Sequence, residues 1–491
     1  MRLTRPSPAR LVGLFVLFQL VVLTAVPAWL STSPPLDVVE GWGWAPHWLL
    51  GTHKHPPMPA WFLQAGYLLL PDRIWTPYLL SQLAVAVTYL LVYRTGRLLM
   101  DARSAAAGTL LLAGSLYLTF LTLEFNHNVI QLPFWAAIIH VFARILRNPQ
   151  RTGLWLLLGV LIGCGMYAKY SIIVLAVVAG LAGLLFPATR PQYRTLRPWL
   201  TMGAALLVFA PHLLWLATHE FKPLGYAADR SVEKAGAWGP LAFLAAQLLN
   251  HLPMLVLLAV AGLRKLPRPQ PFALPAAQSL LFLRVFTFGP VLLVVLGSAL
   301  TGASPRDMWG MPMFTMLGLW IVAEFARDWP SDRLRRLAGA AAGIVTLAAV
   351  AFAAQAWRAT DHRPARPFWP MQQIAGQAQA AWQSERDTPL RIIGGDRWLA
   401  GLVSIALSPA PAVAVTDDLS DSPWIDPQDL AAQGMLYLVQ PPAAPPADLC
   451  PVHGPAHPID PAQPHLPPMA AFVCHPHPGP VPRLLPVPRF R

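Results

Sequence analysis

Residues 11–31 read LVGLFVLFQLVVLTAVPAWLS, a run without one Asp, Glu, Lys or Arg. At about 1.5 Å of rise per residue, roughly 20 apolar residues cross the hydrocarbon of a bilayer. The preceding MRLTRPSPAR carries Arg2, Arg5 and Arg10. A basic head on an apolar run is also the layout of a secretory signal. This run exceeds the 7–15 residues or so of a signal core, so it is expected to remain as a first membrane helix.

Outward from that run the pattern repeats. Further apolar segments fall at about 75–93, 105–123, 128–146, 153–168, 171–187, 199–218, 241–262, 281–300, 308–326 and 337–357. Cations cluster after every even-numbered segment: Arg94, Arg97 and Arg103; Arg144, Arg147 and Arg151; Arg190, Arg194 and Arg197; Arg264, Lys265 and Arg268; Arg327, Arg333, Arg335 and Arg336. Under the positive-inside rule this register predicts about eleven transmembrane helices, a cytoplasmic N-terminus and a C-terminal region on the outer side. In a bacterial cell that is a multi-pass inner-membrane protein with its C-terminal part in the periplasm.

Composition agrees. Of 491 residues, 55% are hydrophobic and only 12% charged, with a mean hydropathy of +0.46. A soluble chain carries roughly twice that charged fraction. The net charge of +13 suggests nucleic acid, but the cations lie in small groups between apolar runs rather than on one basic face, which argues against it. The expected fold is an all-α polytopic membrane protein with a small C-terminal α/β domain. Residues 1–358 form the membrane domain, with a long outer loop over 32–74. Residues 359–440 form the α/β domain: strand-like LRIIG and AVAVT, helix-like WLAGLVSIAL and PQDLAAQ, then strand-like MLYLV. Residues 441–491 read as a Pro-rich tail, extended or poorly ordered.

The outer loop holds the chemistry. LDVVEGWGWAPHWLLGTHKHPPMPAW places Asp37, Glu40, His53, Lys54 and His55 close together in sequence, with Trp42, Trp44, Trp48 and Trp61 expected at headgroup depth. A carboxylate and cations at that depth suit a lipid phosphate. A solvated loop with an aromatic belt is the plainer reading, but Pro56 and Pro57 fix the backbone directly after the three cations.

The loop resembles the first periplasmic loop of the glycosyltransferase family 39 membrane enzymes, the protein O-mannosyltransferase and aminoarabinose transferase-like proteins of GT-C fold. In that family an acidic residue follows the first helix, then an aromatic segment and a Lys/His-Pro-Pro motif. Asp37 and the KHPP of Lys54–Pro57 take those places, while Val38 stands where commoner members carry a second acid, leaving Glu40 as a substitute. LEFNHNVIQLPFW (Leu123–Trp135), MYAKYS (Met166–Ser171), PHLLWLATHEF (Pro211–Phe221) and SPRDMWGMP (Ser304–Pro312) extend the likeness over roughly the first 330 residues.

The resemblance implies a hexosyl- or pentosyltransferase, inverting at the anomeric carbon, that takes a sugar from a polyprenyl-phosphate donor in the membrane lipid and passes it to a lipid or glycan acceptor. Such a reaction needs a carboxylate as general base at the acceptor hydroxyl, here Asp37, with Glu40 as the alternative. It also needs cations against the departing phosphate, for which Lys54, His55, Lys169 and Arg306 are candidates. Glu124, Asn126, His127 and Asn128 are candidates for holding sugar hydroxyls. Each has a plain alternative: Lys169 can snorkel to the interface, and Arg306 can pair with Asp307. The residues identify no cofactor; a divalent metal on Glu124, His127 and His55 stays open because no regular ligand spacing links them. Cys450 and Cys474, in an oxidising periplasm, are expected to form a disulfide. The neighbouring His453, His457, His475 and His477 lack a zinc spacing. A secondary transporter or lipid flippase is the alternative function. Against it, charges gather at the outer interface and the two halves of the chain show no repeat.

Overall fold

The computed structural model describes residues 7–232, 238–262, 276–325, 329–463 and 465–477. Of the clustered cations, Arg2, Arg5, Arg264, Lys265, Arg268 and Arg327 lie outside the described residues, as does the end of the tail from Pro478.

Helices dominate. In chain order they are α1 (Pro8–Leu30), α2 (Leu36–Trp44), α3 (Met58–Leu69), α4 (Trp75–Leu99), α5 (Ala102–Leu111), α6 (His127–Arg147), α7 (Thr152–Ala168), α8 (Ile172–Leu185) and α9 (Arg197–Thr218). There follow α10 (Lys222–Val232), α11 (Gly239–Asn250), α12 (Leu252–Val260), α13 (Ala276–Thr301), α14 (Leu317–Phe325), α15 (Ser331–Arg358), α16 (Met371–Glu385), α17 (Arg397–Ala406) and α18 (Pro427–Gln433). The strands are β1 (Ile392–Gly395), β2 (Ala412–Val413), β3 (Met435–Val439), β4 (His457–Ile459) and β5 (Met469–Cys474).

Among the described residues seven helical stretches are long and apolar enough to cross a membrane, or eight if the bent pair 102–122 counts as one span. The apolar helices α7 and α8 are shorter. Each of the eleven apolar segments is helical somewhere, but two are irregular. The third bends by 95°, and the tenth, read as 308–326, is α-helical only from Leu317. Two compact units divide the chain: Met1–Ala25, Lys54–Met58 and Leu79–Val350 in one, Val26–His53, Pro59–Tyr78 and Ala351–Arg491 in the other.

In the first unit helices approach closely wherever a side chain is missing. A Cβ on Gly108 of α5 would stand 2.7 Å from the Leu319 side chain and 2.8 Å from its Cα, so α14 lies against bare backbone. The bend between α5 and α6 frees backbone carbonyls, which in an apolar setting must find donors. Gln19 donates to the Leu118 carbonyl (2.6 Å), and Ser81 (2.5 Å) and Gln82 (3.2 Å) donate to that of Thr122. Between α8, α13 and α14 lies a cavity of about 640 Å³. Its apolar wall is interrupted by Arg284 and Glu324, paired at 2.8–3.1 Å through two guanidinium nitrogens.

The second unit contains a five-stranded sheet in the order β2-β1-β3-β5-β4. β1 runs parallel to both β2 and β3, while β5 is antiparallel to β3 and to β4. The two crossovers from β1 to β2 and from β2 to β3 carry α17 and α18, as parallel pairing requires. Ile392, Met435, Tyr437 and Val439 alternate into one core with Leu419, Leu430 and Cys450. Gly395 has φ +100° and its missing Cβ leaves room for the Leu438 backbone, so β1 ends where only glycine fits.

The sheet does not stop at residue 440, where the sequence reading ends the α/β domain. β4 and β5 lie beyond it, and β5 pairs with β3 along five residues. Proline is compatible with this because Pro458 sits in β4, an edge strand. Cys450 and Cys474 form a disulfide across 24 positions.

Candidate active site

Pro34 and Pro35 stiffen the entry to α2, and Pro35 is its N-cap without a side-chain cap. Asp37 therefore lies in the first turn, where the helix dipole favours a carboxylate. It is half-buried, whereas every residue from Val38 to Trp44 is buried. Glu40 is 9% exposed, and its Oε1 stands 3.1 Å from Arg397 Nη1. Trp42 and Trp44, expected in the lipid headgroups, are instead packed inside this unit, while Trp48 is exposed. Trp42 Nε1 donates to Ser404 Oγ at 3.0 Å, and the Arg73 guanidinium covers the Trp42 ring at 4.2 Å. An indole with that much hydrogen bonding and packing gains more from an interior than from an interface. Further along, His47 stacks on Trp424 (4.3 Å between rings), and burial pushes its pKa down to about 4.

The rest of the loop motif belongs to the first unit. Lys54 is 8% exposed, with its ammonium 5.4 Å from the centre of the Tyr226 ring. The His55 ring lies 4.0 Å from that of His127 and 5.6 Å from that of Tyr226. His127 Nε2 is 3.3 Å from the Pro56 carbonyl, which can only accept, so that nitrogen carries a proton in this arrangement. Asn126 caps α6, its side chain accepting from the amides of Asn128 (2.9 Å) and Val129 (3.2 Å). Its carbonyl oxygen thus serves the helix rather than standing open as a sugar contact. Lys169 sits at the break between α7 and α8 and donates to Asn128 Oδ1. Asn128 Nδ2 in turn points at Met308 Sδ, 3.5 Å away, in the segment that follows Arg306. Glu124 and Arg306 are half-buried in the adjoining loops.

The structure thus gathers Lys54, His55, His127, Asn128 and Lys169 where α6 begins and α7 ends. It places Asp37 and Glu40 in the second unit. Lys169 does more than reach for an interface, because Asn128 holds its ammonium. Tyr226 of α10 is the member that sequence reading overlooked; one Tyr in a polar outer loop carries no motif. Among the described residues no group of three His, Cys, Asp or Glu side chains is arranged to hold a metal ion.

Residues 54–215 match the protein family described as dolichyl-phosphate-mannose-protein mannosyltransferase. The chain is similar to the lipopolysaccharide core galacturonosyltransferase RgtB of Rhizobium johnstonii, at 28% identity over 87% of this chain and 86% of the relative. It is also similar to the lipid A galacturonosyltransferase RgtD of that organism, at 25% identity over 40% of this chain and 41% of the relative. In three dimensions it resembles ArnT from Cupriavidus metallidurans bound to undecaprenyl phosphate. The TM-score is 0.62 at 14% identity, covering 94% of this chain and 97% of that one. By this likeness the chain is a multi-pass membrane protein of the GT-C fold, similar to the glycosyltransferase family 39 enzymes.

Proposed function

We propose that the protein transfers a sugar from a polyprenyl-phosphate carrier to a lipid or glycan acceptor of the cell envelope, at the periplasmic face of the inner membrane. The observation that carries this reading is the cluster of Lys54, His55, His127, Asn128 and Lys169 built around the KHPP motif. A buried ammonium, that of Lys54, and a half-buried one, that of Lys169, beside hydrogen-bonding side chains suit an anion. The full-length likeness to ArnT, whose structure holds undecaprenyl phosphate, supports a polyprenyl phosphate as that anion. The galacturonosyltransferase relatives support a uronic acid as the sugar and lipopolysaccharide as the acceptor.

In the proposed reaction Asp37 accepts the proton of the acceptor hydroxyl as its oxygen attacks the anomeric carbon. The bond from that carbon to the phosphate oxygen breaks on the opposite face, so configuration inverts. The electron pair leaves on the phosphate, where Lys54, Lys169 and Arg306 offset the charge. Glu124, His127 and Asn128 face the sugar. The cation clusters after alternate apolar segments and the Cys450–Cys474 disulfide support a cytoplasmic N-terminus and a periplasmic C-terminal domain.

The test is transfer of label from radiolabelled polyprenyl-phosphate sugars, galacturonic acid among them, in membranes of a strain lacking the protein and complemented with wild type or Asp37→Asn. Wild type should transfer, and the variant, at equal membrane level, should lose at least about 100-fold. Full activity in the variant would remove Asp37 as base. Label that crosses the bilayer unchanged would replace the enzyme by a transporter.

A further inference from the structure

We infer that the C-terminal α/β domain is the mount on which the acid-bearing helix α2 is held, and that Arg397 is a positioning residue acting on Asp37 through Glu40. The inference rests on Asp37 as the base.

A nine-residue helix without a side-chain cap does not hold its own shape in water. Something must fix α2, and within the second unit that support is α17. Arg397, Gly401 and Ser404 lie at i, i+4 and i+7, one stripe of α17. Each meets α2. Arg397 pairs with Glu40 at 3.1 Å, and Ser404 accepts from Trp42 at 3.0 Å while donating to the Pro411 carbonyl at 2.6 Å. Gly401 leaves the space that Val39 occupies: a Cβ there would stand 2.6 Å from Val39 Cγ1 and 3.0 Å from its carbonyl oxygen.

The chain on either side of α2 is tied to the same domain. The amides of Thr32 and Ser33 donate to the Pro367 carbonyl (2.9 and 3.1 Å), and the Thr32 hydroxyl donates to that of Trp369 (2.7 Å). Beyond α2, His47 stacks on Trp424. The helix can neither slide nor unwind without breaking these contacts.

Glu40 follows Asp37 by three residues, so the two carboxylates share a side of α2. Turning a helix by one residue swings every side chain through about 100°. The Glu40–Arg397 pair sets that angle, and a buried carboxylate left without its guanidinium would seek another partner. The base would then be misdirected rather than lost. A general base displaced by about 1 Å costs roughly 100-fold in turnover.

The experiment compares full-length protein carrying Glu40→Gln, Arg397→Met, Arg397→Lys, the exchanged pair Glu40→Arg with Arg397→Glu, and Asp37→Asn. Turnover per folded molecule, donor KM and melting temperature are read for each. The expected result is a 10–100-fold fall in kcat for Glu40→Gln and Arg397→Met, with donor KM within about twofold and most activity returned in Arg397→Lys. Activity that falls only in proportion to the folded fraction would reduce the pair to a structural contact and overturn the inference. So would full kcat in both single variants beside an inactive Asp37→Asn, an outcome that leaves the base assignment standing. Should Asp37→Asn keep its activity, both fall together. Recovery in the exchanged pair would trace the effect to the pairing itself.

Discussion

Replacing Cys450 and Cys474 by alanine opens a loop of 24 residues and should loosen the C-terminal sheet by a calculable amount. In the chain-entropy description, closing a loop of that length restrains the unfolded chain by about 3.5 kcal/mol. The location of the bond says where the loss will appear. Cys474 ends β5 opposite Met435, the first residue of β3, and Cys450 is buried in the same core. Without the bond, the chain between the two positions is tied to β5 by hydrogen bonds alone, and the β3–β5 ladder opens more readily. Hydrogen exchange of the full chain in lipid discs measures that opening. Amides of β3 and β5 should exchange roughly 100–1,000-fold faster in the double variant, since 1.4 kcal/mol is a factor of ten. Peptides from α6 and α7 should be unchanged. Equal protection of β3 and β5 in the two proteins would refute the reasoning, because the ladder would then be held without the crosslink.

Lys54→Met and Lys169→Met should each lower kcat/KM for the lipid-phosphate donor by about 10²–10³ in the transfer assay, with folding judged by the melting temperature. Glu324→Leu should lower the stability of the first unit by no more than about 1 kcal/mol in thermal unfolding, because the Arg284 side chain is more than half exposed and can turn away from the cavity. Burial holds the His47 pKa at about 4, below the usual value near 6.5. The unfolded chain takes up that proton first, so the second unit loses stability as pH falls from about 6.5 to 4. His47→Phe keeps a ring on Trp424 and should flatten this part of the melting profile; an unchanged slope would assign it to other groups.

Much of the architecture is legible in the sequence because its signals are local. Apolar runs mark the helices through composition alone, and the elements from β1 to β3 stand out as compact alternations of strand and helix pattern. Signals that act over distance are not legible. β4 is three residues long and contains Pro458, and β5 reads MAAFVC, with no alternation and two alanines; only pairing with β3 makes a strand of it. Trp42 and Trp44 look like an aromatic belt because amphipathic rings serve an interface and an interior equally well. Their partners, such as Ser404, stand more than 300 residues away. The KHPP motif and Asp37 stand out as candidates in the sequence, but the arrangement around them does not. Asn126 looks like any polar side chain until the start of α6 is known, and Tyr226 gains meaning only from the Lys54 ammonium beside it.

The grip of α17 on α2 also bears on how the molecule is made. α2 leaves the ribosome well before its support: the residue that receives the Trp42 indole is 362 positions later, and β5 later still. Loop closure over such a span is slow, and the early segment must wait as an apolar nine-residue stretch. A message cut short after residue 460 would deliver every apolar segment and Cys450 but deprive β3 of β5 and Cys450 of its mate. The residues beyond 440 therefore bear on how firmly the acid-bearing helix is seated, since the sheet beside α17 gains β5 only after they have been made.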